Sequence, residues 1–155
     1  MHTYVLEREQ FLPIGIKEAW EFFSTPRNLS KITPPDMGFE ILPPFDDEPM
    51  FSGQLIDYRV RPLLGIPVRW TTRIGEVGTL EYFTDTQLRG PYQKWEHLHT
   101  FEEKDGGVLM KDRVEYALPF GIIGRIAHSL FVRSRLEKIF DYRVSVLDKI
   151  FPGRK

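Results

Sequence analysis

The segment Trp95-Glu96-His97-Leu98-His99-Thr100-Phe101 carries two of the chain's four histidines, one residue apart. In an extended strand alternate side chains point to opposite faces, so Trp95, His97, His99 and Phe101 share one. On a wet face two large aromatics would be left in water, and in a tight core two imidazoles would need polar partners. A concave, part-polar cavity meets both demands. Three chemistries are then open to the pair. The first has both histidines structural, hydrogen-bonded to carboxylates beneath a ligand cavity, as buried polar groups normally are. In the second, one of them is a general acid or base with a carboxylate as its orienter. In the third they ligate a metal with a neighbouring Asp. The first is preferred, and no metal or other cofactor is assigned.

Carboxylate partners follow from the turns. If the Gly90-Pro91 hairpin pairs Gln87 with Trp95, then Asp85 faces His97 and Phe83 faces His99. If the Asp105-Gly106-Gly107 turn pairs Phe101 with Met110, then His99 faces Asp112 and His97 faces Val114. A slip of one residue breaks each pairing. In this register Asp85, Gln87, Trp95, His97, His99, Asp112 and Tyr116 share one side of three adjacent strands. A carboxylate raises an imidazole pKa and burial lowers it, so the net direction is open at this stage. His97, His99 and Asp112 are the acid-base candidates. No nucleophile is evident.

These groups need elements to hold them. Tyr4 to Leu12 reads as a first strand ended by Pro13, and Ala19, Trp20, Phe22 and Phe23 form the apolar stripe of a helix of two to three turns. Those aromatics are expected to pack helix to sheet rather than to form a substrate platform. Thr25 before Pro26 has the form of an N-cap opening a second short helix through Leu29, stopped by Thr33-Pro34-Pro35-Asp36. From Gly38 to Pro119, β-branched and aromatic runs alternate with Pro, Gly and Asp clusters, predicting a meander. Its strands are placed near 39–42, 53–60, 67–77, 80–88, 93–103 and 108–118. Tyr58 and Trp70 lie on two of them as candidate wall residues. Beyond Pro119 the period becomes helical, and Leu136, Phe140, Arg143, Leu147 and Ile150 define the seam of a long terminal helix. Arg143 on that seam is either an anchor for a ligand carboxylate or phosphate or, preferably, an internal partner of Asp112. The fold class is therefore α+β, with one long helix as the only element able to cover the sheet.

Composition narrows the functions. The chain has 155 residues, 21 basic and 22 acidic, so one domain over 1–155 is expected, without a global field for nucleic acid or an anionic membrane. A local patch remains open. Arg125, Arg133, Arg135 and Lys138 gather with His128 near the start of the long helix and are read as a solvated face, since no aromatics interleave for base stacking. The absence of cysteine excludes disulfides and thiolate chemistry. No apolar run approaches the ~20 residues of a membrane span, and no export signal is visible, so a cytoplasmic location is expected. Asn28-Leu29-Ser30 is then a chance match to the glycosylation triplet. The apolar connection Pro62 to Pro67 reads as a cavity lid, an interaction surface or a loop tip folded on the core.

Taken together, Ala19-Trp20-Glu21-Phe22-Phe23, Leu29 to Ile32-Thr33-Pro34, Asp85 to Gln87, Gly90-Pro91-Tyr92, Trp95 to Phe101, Asp112 to Tyr116 and Phe140-Asp141-Tyr142-Arg143 resemble the START-like or SRPBCC superfamily. This group includes Bet v 1-like proteins and polyketide cyclases, and the likeness is nearest to its bacterial ligand-binding subgroup. The resemblance covers almost the full length. It implies a helix-grip fold: a seven-stranded antiparallel sheet wrapped around the C-terminal helix, with two short helices after strand 1, enclosing a cavity for an apolar or amphipathic small molecule. Tyr58, Trp70, Asp85, Gln87, Trp95, His97, His99, Asp112, Tyr116 and Arg143 are the expected ligand-binding residues. Binding, as carrier, sequestering protein or sensor, is the leading expectation. A cyclase-, dehydratase- or hydrolase-like enzyme using His97 or His99 is the alternative. Similar domains fused to epimerase-like enzymes suggest a third, a regulatory partner of a separate enzyme, and a weak homodimer is also open.

Overall fold

The computed structural model describes residues 1–62 and 65–153. β1 (Tyr4–Leu12) alternates inward and exposed positions up to Pro13, which has no backbone donor for a further ladder bond. α1 (Ile16–Phe23) buries Ala19 and Phe23, and Trp20 packs edge-on against Phe83 and Phe101. The next segment departs from expectation. Pro26 is at the first helical position, but the hydroxyl of Thr25 donates back to the Glu21 carbonyl at 2.6 Å instead of capping the turn ahead. Pro26–Ile32 is a 3-10 helix running past Leu29, and a second one, Pro35–Met37, follows. Asn28 and Thr33 donate to the Phe22 and Leu29 carbonyls, which hold this connection in its tight winding.

β2 (Glu40–Ile41), β3 (Leu55–Val60), β4 (Val68–Gly78), β5 (Tyr82–Arg89), β6 (Lys94–Lys104) and β7 (Gly107–Ala117) join β1 in one seven-stranded antiparallel sheet, ordered β1-β7-β6-β5-β4-β3-β2. The expected strands are present, with ends moved by a residue or two and β2 cut to a two-residue edge. Leu80, expected to begin a strand, instead occupies the turn before β5 with φ 68°. Asp105 and Gly106 both have positive φ, the paired left-handed conformation of a two-residue hairpin, which sets Lys104 opposite Gly107. Register shifts between Thr71/Thr72 and Ile74/Val77 mark bulges in the β4–β5 ladder, and bulges bend a sheet. Gly75 sits in the second, where a Cβ would come within 2.3 Å of the Thr84 hydroxyl.

α2 (Gly121–Ala127), a π-turn (His128–Val132) and α3 (Arg133–Ile150) then run on without a break. Gly124 lets α2 lie against the end of β7, because a Cβ there would approach the Pro119 carbonyl oxygen to 2.1 Å. α3 buries Leu136, Phe140, Arg143 and Leu147 under the sheet, as the seam predicts. Ile150, the last seam position, is exposed.

Candidate functional site

Both hairpin registers hold. Asp85 pairs with His97 and Phe83 with His99 across β5 and β6, while His97 pairs with Val114, His99 with Asp112 and Phe101 with Met110 across β6 and β7. The two-residue alternation therefore brings Asp85, His97, His99 and Asp112 together on the face that α3 covers. Arg143 reaches them from the helix.

The four side chains form a compact buried cluster. His97 Nε2 lies 2.8 Å from Asp112 Oδ1, and its Nδ1 is 3.7 Å from Asp85 Oδ2. His99 contacts both carboxylates, with Nε2 2.6 Å from Asp85 Oδ2 and Nδ1 3.2 Å from Asp112 Oδ1. The two imidazole rings are stacked, centroids 3.6 Å apart, and His99 stacks in turn on Phe83. Arg143 Nη1 donates to Asp112 Oδ1 at 3.4 Å, its guanidinium lies over the Phe140 ring, and its Nε is buried without a hydrogen-bond partner.

Burial and these contacts set the protonation pattern. Loss of solvent and the adjacent His99 hold the His97 pKa below the usual imidazole value. His99 feels the same loss of solvent, but its contacts to Asp112 and Asp85 outweigh it and raise its pKa. Burial alone would push both carboxyls up; the histidines and Arg143 overcome it, placing Asp85 low and Asp112 well below the carboxylate range. The pattern favours two carboxylates facing Arg143, with His99 the more readily protonated of the two histidines.

Asp85, His97 and His99 place ligating atoms within 4.8 Å of one another. The stacked rings oppose their use together. A metal bound at about 2.1 Å to a nitrogen of each would sit well out of the plane of both imidazoles, away from their lone pairs. The arrangement suits protons better than a divalent ion.

Above the cluster lies a cavity of about 300 Å³ between the curled sheet, α3 and the 3-10 segments. Its wall is mainly aromatic and aliphatic, and Asp85, His97, His99 and Arg143 form its polar corner. Of the sequence candidates, Tyr58, Trp70 and Trp95 also reach the wall. Trp70 stacks edge-on against Trp95 at 5.2 Å and donates its indole N–H to Thr72. Burial raises the pKa of Tyr58, keeping its phenol neutral.

Three candidates stand elsewhere. Asp112 is behind the histidines, on the far side from the cavity. Gln87 uses its amide in the hairpin, donating to the Tyr92 carbonyl at 2.7 Å and accepting from the Tyr92 N–H at 3.1 Å. Tyr116 turns to His128, its hydroxyl 2.7 Å from Nε2, and burial pushes its pKa up to about 12. His128 itself corrects the solvated-face reading: it is buried and stacked on Tyr4 with centroids 3.5 Å apart.

Other wall residues were not singled out. Phe22 and Phe23, read as packing, also line the cavity, and Leu29, Ile32 and Met37 come from the 3-10 segments, which have no apolar period to read. At the rim, Arg135 pairs with Asp36 at 3.0 Å and donates to the Pro62 carbonyl at 3.2 Å. Leu63 and Leu64, the centre of the apolar connection read as a lid, an interaction surface or a folded loop tip, lie outside the described residues. Pro62 lines the cavity, and Ile66 is exposed.

No protein-family model and no curated protein matches the sequence. Solved structures match it in shape. The di-domain ARO/CYC BexL of the BE-7585A biosynthetic pathway superposes with TM-score 0.71 at 13 % identity, over 99 % of this chain and 51 % of that one. Truncated norcoclaurine synthase from Thalictrum flavum gives 0.67 at 15 % identity, over 99 % and 96 %. Ara h 8.0201 gives 0.58 at 14 % identity, over 96 % and 99 %. The fold is thus a helix grip, shared with these solved structures.

Proposed function

We propose that the protein binds a small, largely apolar molecule whose polar end meets the Asp85, His97, His99 and Arg143 corner. The carrying observation is the cavity of about 300 Å³, apolar over most of its wall with a cluster of titratable groups at the Asp85, His97, His99 and Arg143 corner, the form of a site that takes affinity from burial and orientation from a few hydrogen bonds. Arg143 supports an acceptor at that end of the ligand, because Asp112 engages only part of its fork of donors. Native mass spectrometry of freshly purified protein tests for a co-purified molecule. Anilinonaphthalene sulfonate, followed by energy transfer from Trp70 and Trp95, tests the cavity directly. Replacing Ile139 in the wall with Phe is expected to weaken that probe about tenfold, and equal affinity in the two proteins would remove the cavity as its site.

The histidine pair supports a second reading, proton transfer on the bound molecule. With its pKa lowered His97 is the better proton acceptor of the pair, and with its pKa raised His99 is the better placed to hold and deliver one. Such general acid-base steps contribute about 100- to 10,000-fold. Deuterium incorporation into a carbon–hydrogen position of a co-purified molecule, lost in both His97→Gln and His99→Gln, is the expected signature. Equal incorporation in those variants would leave binding alone.

A further inference from the structure

The segment that leads into the long helix is apolar on its outside. Phe120, Ile122, Ile123, Ile126, Leu130 and Phe131 are between 54 % and 81 % exposed, an unusual concentration of large apolar side chains for about 18 Å of helix. Every charge within the segment itself is basic, although Arg133 pairs with Glu137 at 3.4 Å and Arg135 with Asp36 at 3.0 Å, both partners lying outside it. From Tyr116 to Leu136 there is no Asp or Glu, while Arg125, Arg133 and Arg135 fall within the stretch, in a chain whose net charge is -1. Arg125 and Arg133 meet His2, His128 and Ser129 around a shallow recess beside Ile122 and Ile126.

This patch stands at the cavity's rim. The pairings Tyr4 with Tyr116, Lys94 with Ala117, Thr71 with Arg89 and Val60 with Val68 place the start of β1, the β5–β6 turn, the β3–β4 connection and the entry to α2 at one end of the sheet. Ile66 and Leu88, at that same end, are also more than half exposed. Cavity residues Leu118, Val132 and Arg135 flank the exposed helix segment on both sides in sequence.

We propose that this end of the molecule docks on an anionic lipid bilayer, with Gly121–Val132 lying in the interface plane. An interfacial helix of this kind buries its apolar side chains at the boundary of headgroups and acyl chains and places arginines among anionic headgroups. It requires no membrane span, and no helix among the described residues is long and apolar enough to form one. A second copy of the chain fits less well. A two-fold contact through this face would set Arg125 and Arg133 against their own counterparts, whereas anionic headgroups complement them.

Vesicle flotation tests the docking independently of what the cavity holds. The purified chain is expected to float with phosphatidylcholine vesicles containing about 30 % phosphatidylglycerol and to bind pure phosphatidylcholine at least tenfold more weakly. About 0.5 M NaCl should weaken the anionic-vesicle binding by a similar factor, since the arginines are screened. The double variant Ile123→Asp/Leu130→Asp should lose binding at least tenfold while keeping its thermal midpoint and cavity-probe affinity; Arg125→Glu/Arg133→Glu should lose the preference for anionic lipid. Failure of the unsubstituted chain to float with anionic vesicles at low salt overturns the proposal, as does equal flotation of Ile123→Asp/Leu130→Asp. A dimer in sedimentation that the apolar double variant disperses, together with absent flotation, would assign the face to a second copy instead. Loss of the cavity reading alone would leave the flotation result unchanged.

Discussion

His97 and His99 stack face to face with centroids 3.6 Å apart, yet their environments shift their pKa values in opposite directions. The difference lies in the carboxylate contacts: His99 lies within 3.2 Å of both carboxylates, while His97 has only Asp112 at close range. Two like charges stacked in a buried site would repel strongly, so protonation of one suppresses that of the other.

This asymmetry predicts a pH signature. The lowered pKa of His97 means that the unfolded chain binds its proton more readily, so this group's contribution to stability declines as pH falls below the unfolded imidazole value of about 6.5. Raised in the folded state, the His99 pKa gives a contribution that is complete below that value and lost as pH rises through the folded pKa. The depressed Asp85 and Asp112 add losses only in acid, as pH falls through their folded values. Thermal midpoints measured across pH should therefore lose an alkaline decline in His99→Gln and a mildly acidic one in His97→Gln. Parallel profiles for the two variants would contradict the assignment.

Asp112 is expected to be the least replaceable member of the cluster. In Asp112→Asn the folded protein would keep Arg143 and a histidine proton facing each other without their shared anion. A loss of about 3–5 kcal/mol is expected for stranding a buried charge. Urea unfolding of the variant measures it, and a loss under about 1 kcal/mol would show that the charge is not held as described.

Gly124 offers a test of how α2 is seated. Ala there places a methyl 2.1 Å from the Pro119 carbonyl oxygen, which is backbone and has little room to yield. A destabilisation of about 1–3 kcal/mol is expected despite the higher helix propensity of Ala. A more stable Gly124→Ala protein would mean that the helix entry shifts freely.

At the rim, Arg135 ties α3 to Asp36 and Pro62. Because the pair is partly exposed, Arg135→Ala should alter global stability by no more than about 1 kcal/mol. Release of anilinonaphthalene sulfonate, read by stopped flow, should nevertheless accelerate several-fold, since Arg135 and Pro62 both line the cavity. An unchanged release rate would place the exit elsewhere.

What was legible in the sequence was whatever a period or a turn encodes. Asp105-Gly106 announces its hairpin through a left-handed demand that Asp and Gly meet cheaply, and from it the His99–Asp112 pairing follows by counting. The seam from Leu136 to Leu147 was readable for the same reason. Orientation at strand ends was less accessible. Gln87 and Tyr116 have the right parity for the pocket face, but Gln87 closes its own turn and Tyr116 is drawn to a histidine twelve residues away. The cavity contributions of Leu29, Ile32 and Met37 depend on a 3-10 path that only tertiary contacts determine.

The π-turn at His128–Val132 has a consequence for how one helix faces two environments. In an unbroken α-helix at about 100° per residue, Ile122 and Leu136 would lie about 40° apart, on the same side of the rod. The turn absorbs about one residue of rotation and separates them by about 140°, so the apolar code of the first segment is read outward and that of the second inward. It acts as a phase shifter. Rewinding it as plain α-helix at unchanged length would re-aim Ile122 and Ile126 toward the side that grips the sheet, turning a surface into surplus core without altering either stripe's composition, whereas deleting one residue along with it would leave their aim as it is.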